Sequence, residues 1–259
     1  MFQNTSKWSI RMMKKFIANC FLIFFTSVFS SVCFAEIVRV PFDGASVTTA
    51  AWLRTDSKAV LIFLPGGNGK FGIAARDPQK PLWIFQQVFD AKIDIVFMDS
   101  EESLGERDLW ARRTTEHFKK IKSVVEFFKK SRGKPVFLIG HSNGAISLVE
   151  FLNDTPKNYQ YLSGVVFSGS RNETAVTTKL NLPILVMHHQ DDNNPWTTPA
   201  NAERLFSNIK KFNASKTSFA WVHGGFDEGN PATSGRHMYA GSNEEAAKIV
   251  SNFILGRSM

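Results

Sequence analysis

The sequence predicts an α/β fold in which a mostly parallel, doubly wound sheet is covered by helices on both faces. Three observations predict it. Short continuous apolar runs, such as 59–64 and 93–98, stop at proline, glycine or aspartate, as strands buried on both faces do. Amphipathic helical patterns alternate with those runs. No internal repeat, heptad seam or low-complexity linker interrupts the series, so residues 36–259 read as a single domain.

Taken in order, 36–40 and 46–54 read as two early strands joined by the turn Pro41-Phe42-Asp43-Gly44. The run 59–64 is a core strand, ended by Pro65-Gly66-Gly67-Asn68-Gly69. Residues 81–91 carry helical spacing at Trp83, Phe85, Val88 and Phe89, and 93–98 is a second core strand ending at Asp99. A helix is expected over 114–131, with Phe118, Ile121, Val124, Val125 and Phe128 on one face and lysines on the other. Strands follow at 135–139, 162–167, 184–187 and 217–222. Helices follow at 145–152, 199–209 and 244–255.

The first 35 residues stand outside this fold. Arg11, Lys14 and Lys15 form a positive start, 16–29 is mostly apolar, and Cys33 and Ala35 are small residues placed for cleavage before Glu36. That is the anatomy of a secretory signal peptide. The apolar stretch is short for a span, which needs about 20 residues, so no stable membrane span is expected after cleavage. Neither Cys20 nor Cys33 sits in a good lipobox, and Met12 and Met13 are possible starts. The protein is thus expected to be exported, periplasmic or secreted.

Removal of that segment changes the composition. The full chain has 259 residues, 31 basic and 23 acidic, for a net +8. Four of the basic residues and both cysteines lie in residues 1–35, so the mature domain is cysteine-free with a net charge of +4. No nucleic-acid stripe is present, and the lysines of 119–134 are the solvated face of a helix.

In open sheets of this kind ligands bind beyond the carboxyl ends of the strands. After the strand 135–139 comes Gly140-His141-Ser142-Asn143-Gly144 and then a helix, a G-x-S-x-G in strand–turn–helix context. The tight turn presents a serine hydroxyl at the strand tip, where the helix N-terminus favours developing negative charge. This makes Ser142 the candidate nucleophile. Such a hydroxyl needs a base, and the base an orienting acid. After 182–187 comes His188-His189-Gln190-Asp191-Asp192, which supplies a carboxylate at a strand end, and residues 223–242 carry His223 and His237. His237 is the better candidate base. His223, at the strand end itself, reads as a loop-structuring residue.

The chain order Ser142, Asp192, His237 and the elbow resemble the α/β-hydrolases over nearly all of residues 36–255. Many members place the acid as H-G-x-x-D, which selects Asp192, with Asp191 as the alternative. The resemblance implies an oxyanion hole built from the Asn143 amide and, by position in Pro65-Gly66-Gly67, the Gly67 amide; Gly66 is the weaker candidate. It also implies the α/β-hydrolase fold. The short connection 168–181 leaves no room for a large lid domain. More narrowly, Leu64-Pro65-Gly66-Gly67-Asn68-Gly69 resembles a group of small exported bacterial esterase-like members, which names no substrate.

Other readings are weaker. Gly66-Gly67-Asn68-Gly69-Lys70 lacks the spacing of a Walker loop, and Phe71 stands where Ser or Thr must bind magnesium. His188 and His189 point to opposite faces of a strand, which opposes a shared metal ion; no metal and no cofactor are expected. His141 reads as structural. Trp196 either lines a substrate pocket or packs its loop. Residues 70–81 and 99–113 are the candidate substrate walls. The expected activity is hydrolysis of a small-molecule carboxylic ester by a serine hydrolase. Peptidase, thioesterase or acyltransferase activity uses the same triad, and a non-catalytic envelope-binding protein uses the same fold. The sequence carries no signal of oligomeric state.

Overall fold

The computed structural model describes residues 36–70, 89–213, 216–227 and 235–259. Strands β1 (Glu36–Phe42) and β2 (Ala45–Trp52) form an antiparallel hairpin. Its turn places Asp43 at φ 43° and Gly44 at φ 76°. Positive φ at both central residues matches the twist of the flanking strands, and Asp-Gly is a pair that adopts it readily.

Strands β3 (Ala59–Leu64) and β4 (Ile93–Met98) are buried at all six positions each. Helix α1 (Thr115–Arg132) is capped by Thr114, whose side chain accepts from the His117 amide, and ends at Gly133 in the left-handed region. Strand β5 (Val136–His141) leads into α2 (Asn143–Asp154), followed by the single turn α3 (Pro156–Tyr159) and β6 (Gly164–Ser168). Strand β7 (Ile184–His189), α4 (Pro199–Asn213), β8 (Thr217–Val222) and α5 (Asn243–Leu255) complete the series. The helix expected over 81–91 lies largely outside the described residues, and Phe89, Asp90 and Ala91 are not helical.

The eight strands form one sheet in the order β1-β2-β4-β3-β5-β6-β7-β8. Strand β2 runs antiparallel to β1 and β4, and every other pair is parallel. Side-chain alternation divides the apolar runs between two cores. Val60, Ile62, Leu138, Val165 and Val186 pack with α1, α2 and α4 on one face. Leu61, Phe63, Ile139, Val166 and Leu185 pack with Ala246, Ala247, Val250 and Ile254 of α5 on the other. Residues 169–183, between β6 and β7, form turns and extended chain with no inserted helix. The sheet therefore gathers the ends of β3, β5, β6, β7 and β8 on one edge.

Candidate active site

Ser142 sits between β5 and α2 with φ 54° and ψ −124°. A non-glycine residue in that region costs about 1–3 kcal/mol and persists only where its surroundings enforce it. The enforcement is visible. The Ser142 amide donates to Ser168 O at 3.1 Å, and the Ala145 amide donates to Ser142 O at 3.0 Å. A Cβ on Gly140 would lie 2.5 Å from Gly144 O, and one on Gly144 would lie 2.6 Å from Leu64 O. Strand, helix and the β3 loop thus pass at distances that only glycine permits.

That β3 loop turns on a Gly69 amide bond to Gly66 O at 2.8 Å, with Gly67 at φ 48°. The Asn143 side chain donates to Gly67 O at 2.8 Å and to Glu106 O at 3.1 Å, while its own Oδ1 accepts from Arg171 at 3.0 Å. The backbone N–H groups of Gly67 and Asn143 engage no acceptor among the described residues. Of the two stretches expected as substrate walls, 70–81 lies outside the described residues beyond Lys70, and residues 99–113 brace this loop: the Leu104 amide donates to Asn68 O and the Ser100 amide to Gly69 O. They line a groove of about 320 Å³, rimmed by Glu101, Glu102 and Trp110, that contains neither Ser142 nor His237.

The two aspartates separate clearly. Asp191 is exposed, and its amide donates to His189 Nδ1. Asp192 is buried at the foot of the loop after β7. Its Oδ2 lies 2.9 Å from His237 Nδ1 and 3.1 Å from His188 Nε2, and it accepts from Thr197 Oγ1 at 3.0 Å. Its Oδ1 accepts from the Asn194 amide at 2.9 Å. Burial alone would raise the Asp192 pKa; the bonds from His188 and His237 outweigh it and hold the carboxyl well below the usual carboxylate range. A carboxylate only accepts, so His237 carries its proton on Nδ1.

His237 lies in the 3₁₀ turn Gly235–Met238 and is buried. Its Nε2 has no hydrogen-bond partner among the described residues, so the Ser142 hydroxyl is not bonded to it in this structure. The His237 ring packs on the His141 ring, centroids 4.9 Å apart, which sets the imidazole beside the residue preceding Ser142.

His141 is buried. Its Nδ1 lies 3.0 Å from Ser168 Oγ, which lies 2.8 Å from Tyr239 Oη, beside a small cavity of about 20 Å³. Burial, then the neighbouring His237, drives its pKa well below the ordinary histidine value. His188 and His189 diverge as strand neighbours must. His188 faces Asp192 and Thr197 O, and His189 donates to Gly224 O. His223 pairs with Glu245 on the surface. Among the described residues no three His, Cys, Asp or Glu side chains are placed to hold a metal ion, and no helix is long and apolar enough to cross a membrane. Trp196 is 51% exposed with the Arg171 guanidinium 5.2 Å from its ring centre, so it lies on the surface, not in a closed pocket.

His188, weighed from the sequence only as a metal ligand, proves to be a neighbour of Asp192; Thr197, Ser168, Tyr239 and Arg112 are not singled out by the sequence. None sits in a motif, and each acquires its place only when distant strands are paired.

The architecture is that of the α/β-hydrolases. Solved structures with the same fold include a monoglyceride lipase from Saccharomyces cerevisiae (TM-score 0.59, 12% identity, 88% of this chain and 97% of that one). A lid-less serine hydrolase from Xanthomonas campestris is similar (TM-score 0.57, 10% identity, 86% and 94%). At the sequence level, the model of the lecithin:cholesterol acyltransferase family matches residues 107–171. The phosphatidylcholine-sterol acyltransferase of Rattus norvegicus is 25% identical over 224 residues, 76% of this chain and 49% of that protein. The Eliomys quercinus enzyme is 24% identical over 220 residues, 82% and 68%. The chain spans about half the length of the rat relative.

Proposed function

We propose that the protein is an exported serine hydrolase that cleaves carboxylic esters through Ser142, His237 and Asp192. The observation that carries this reading is the strained Ser142 at a helix N-terminus, with the imidazole of His237 packed on the preceding residue, His141, and its Nδ1 held by a buried carboxylate. Ser142 Oγ attacks the ester carbonyl as His237 Nε2 takes its proton. The Gly67 and Asn143 amides receive the oxyanion. On collapse, the proton passes to the leaving alcohol. Water, deprotonated by His237, then attacks the acyl-enzyme and frees the acid. Asp192 keeps the imidazole in the required tautomer and stabilises its charged form. Export rests on the N-terminal segment, and a mature mass beginning at Glu36 tests it.

Acyl transfer to an alcohol uses the same intermediate. The match of residues 107–171 to the lecithin:cholesterol acyltransferase family favours it as the second reading. The test is intact-mass analysis after a fluorophosphonate probe, with and without Ser142→Ala. A single adduct lost in the variant is expected. An unlabelled, folded parent sinks the enzyme reading. Products formed from a short ester with excess glycerol then separate hydrolysis from transfer.

A further inference from the structure

We infer that Arg112 is a positioning residue: its buried guanidinium aims the Gly67 N–H of the β3 loop into the site, by holding the carbonyls of Pro65, Gly66 and Gly67. The inference rests on the hydrolase reading above. Arg112 is wholly buried, yet no carboxylate pairs with it among the described residues. Its Nη1 donates to Pro65 O at 2.7 Å and to Ser147 Oγ at 3.0 Å. Its Nη2 donates to Gly67 O at 2.9 Å and to Gly66 O at 3.3 Å.

The geometry has a direct consequence. In a trans peptide the C=O and the following N–H point in opposite directions. With Gly66 O turned toward Arg112, the Gly67 N–H is turned away from it. A Cβ on Gly66 would lie 3.8 Å from Ser142 Cβ, so this peptide adjoins the nucleophile. A cation on the carbonyl side also polarises the peptide and strengthens its N–H as a donor. Ser147, on α2, further bonds His117 Nε2 at 2.9 Å, which fastens the guanidinium to the helix that begins beyond the nucleophile. Burying a guanidinium without a counter-ion is costly. Burial, with Arg171 nearby, lowers its pKa to about 10, so it remains charged at neutral pH. A residue serving packing alone needs no such charge.

The test uses Arg112→Gln and Arg112→Lys in the full chain, with kcat and KM for a p-nitrophenyl ester and thermal melts of each. In Arg112→Gln, kcat is expected to fall about 10²-fold, the scale of a lost oxyanion donor, with KM within about threefold. Arg112→Lys keeps the charge, but one ammonium cannot span three carbonyls, so an intermediate fall is expected. Affinity for a trifluoromethyl ketone, which mimics the oxyanion, should weaken in step with kcat. A folded Arg112→Gln protein with unchanged kcat, or with its loss confined to KM, overturns the inference. So does failure of both variants to fold, since the residue would then serve the fold and not the loop. A parent that neither labels nor turns over overturns the hydrolase reading instead.

Discussion

At the residue scale the two adjacent aspartates are the sharpest contrast. Asp192 accepts three hydrogen bonds, one of them from His237, and lies 3.1 Å from His188 Nε2, whereas Asp191 faces solvent. Asp192→Asn is therefore expected to lower kcat by about 10³–10⁴-fold through the wrong imidazole tautomer. Asp191→Asn should leave kcat within about threefold, and ester hydrolysis by the two variants side by side checks it. Equal losses would remove Asp192 from the triad. Thr197→Val deletes one donor to the same oxygen. It should cost about 1 kcal/mol of stability, the usual worth of a buried hydrogen bond, read by chemical denaturation. The roles differ in how they were legible. Ser142 is written in a five-residue motif, and His237 follows from lying beyond the last strand. Between Asp191 and Asp192 the residues alone do not decide, because both stand at the same strand end. Only the turn that buries one carboxylate separates them. Thr197 was invisible, because a threonine in a polar loop carries no local sign of a partner, and His188 stood out in its segment without a sign that its partner is Asp192.

At the element scale the elbow is a meeting of three backbones, and a glycine there should tolerate a methyl far less than the glycine that ends α1. Gly144→Ala places a methyl 2.6 Å from Leu64 O, against main chain that cannot rotate away. A loss of about 1–3 kcal/mol is expected, as for overpacking, together with a fall in kcat from displacement of the β3 loop. Gly133→Ala, at φ 63° with nothing near its Cβ, should cost about 1 kcal/mol and leave kcat unchanged. Melts and initial rates of the pair test this; an equal effect on rate would show that the elbow's spacing is unimportant. Core strands were legible because burial on both faces makes them continuous apolar runs. The antiparallel run of β2 against β4 was not, since direction leaves no trace in an apolar stretch. The short turns at Trp110–Arg113 and Gly235–Met238, which carry Arg112 and His237, have too few residues to show a period.

At the scale of the whole molecule, buried histidines set the acid response. Burial, followed by the nearby Arg112 and Lys120 charges, pushes His117 down to about 3. The unfolded chain binds that proton near pH 6.5. Between the two values the unfolded state holds the extra proton, so stability falls as pH falls, by about 2 kcal/mol at pH 5 from this group alone. His141 acts in the same direction. Asp192 does not contribute in this window, because a depressed carboxyl loses its stabilisation only at pH below the ordinary carboxylate range. Thermal melts from pH 7.5 to 4.5 should show a shallower slope for His117→Gln than for the parent, and identical slopes would discard the assignment. The order of the strands carries a consequence in time. A chain made from its N-terminus completes the serine turn while β7, β8 and the histidine are still to come. Under the proposed mechanism the hydroxyl therefore emerges before its base, and the two meet only when the final crossover docks.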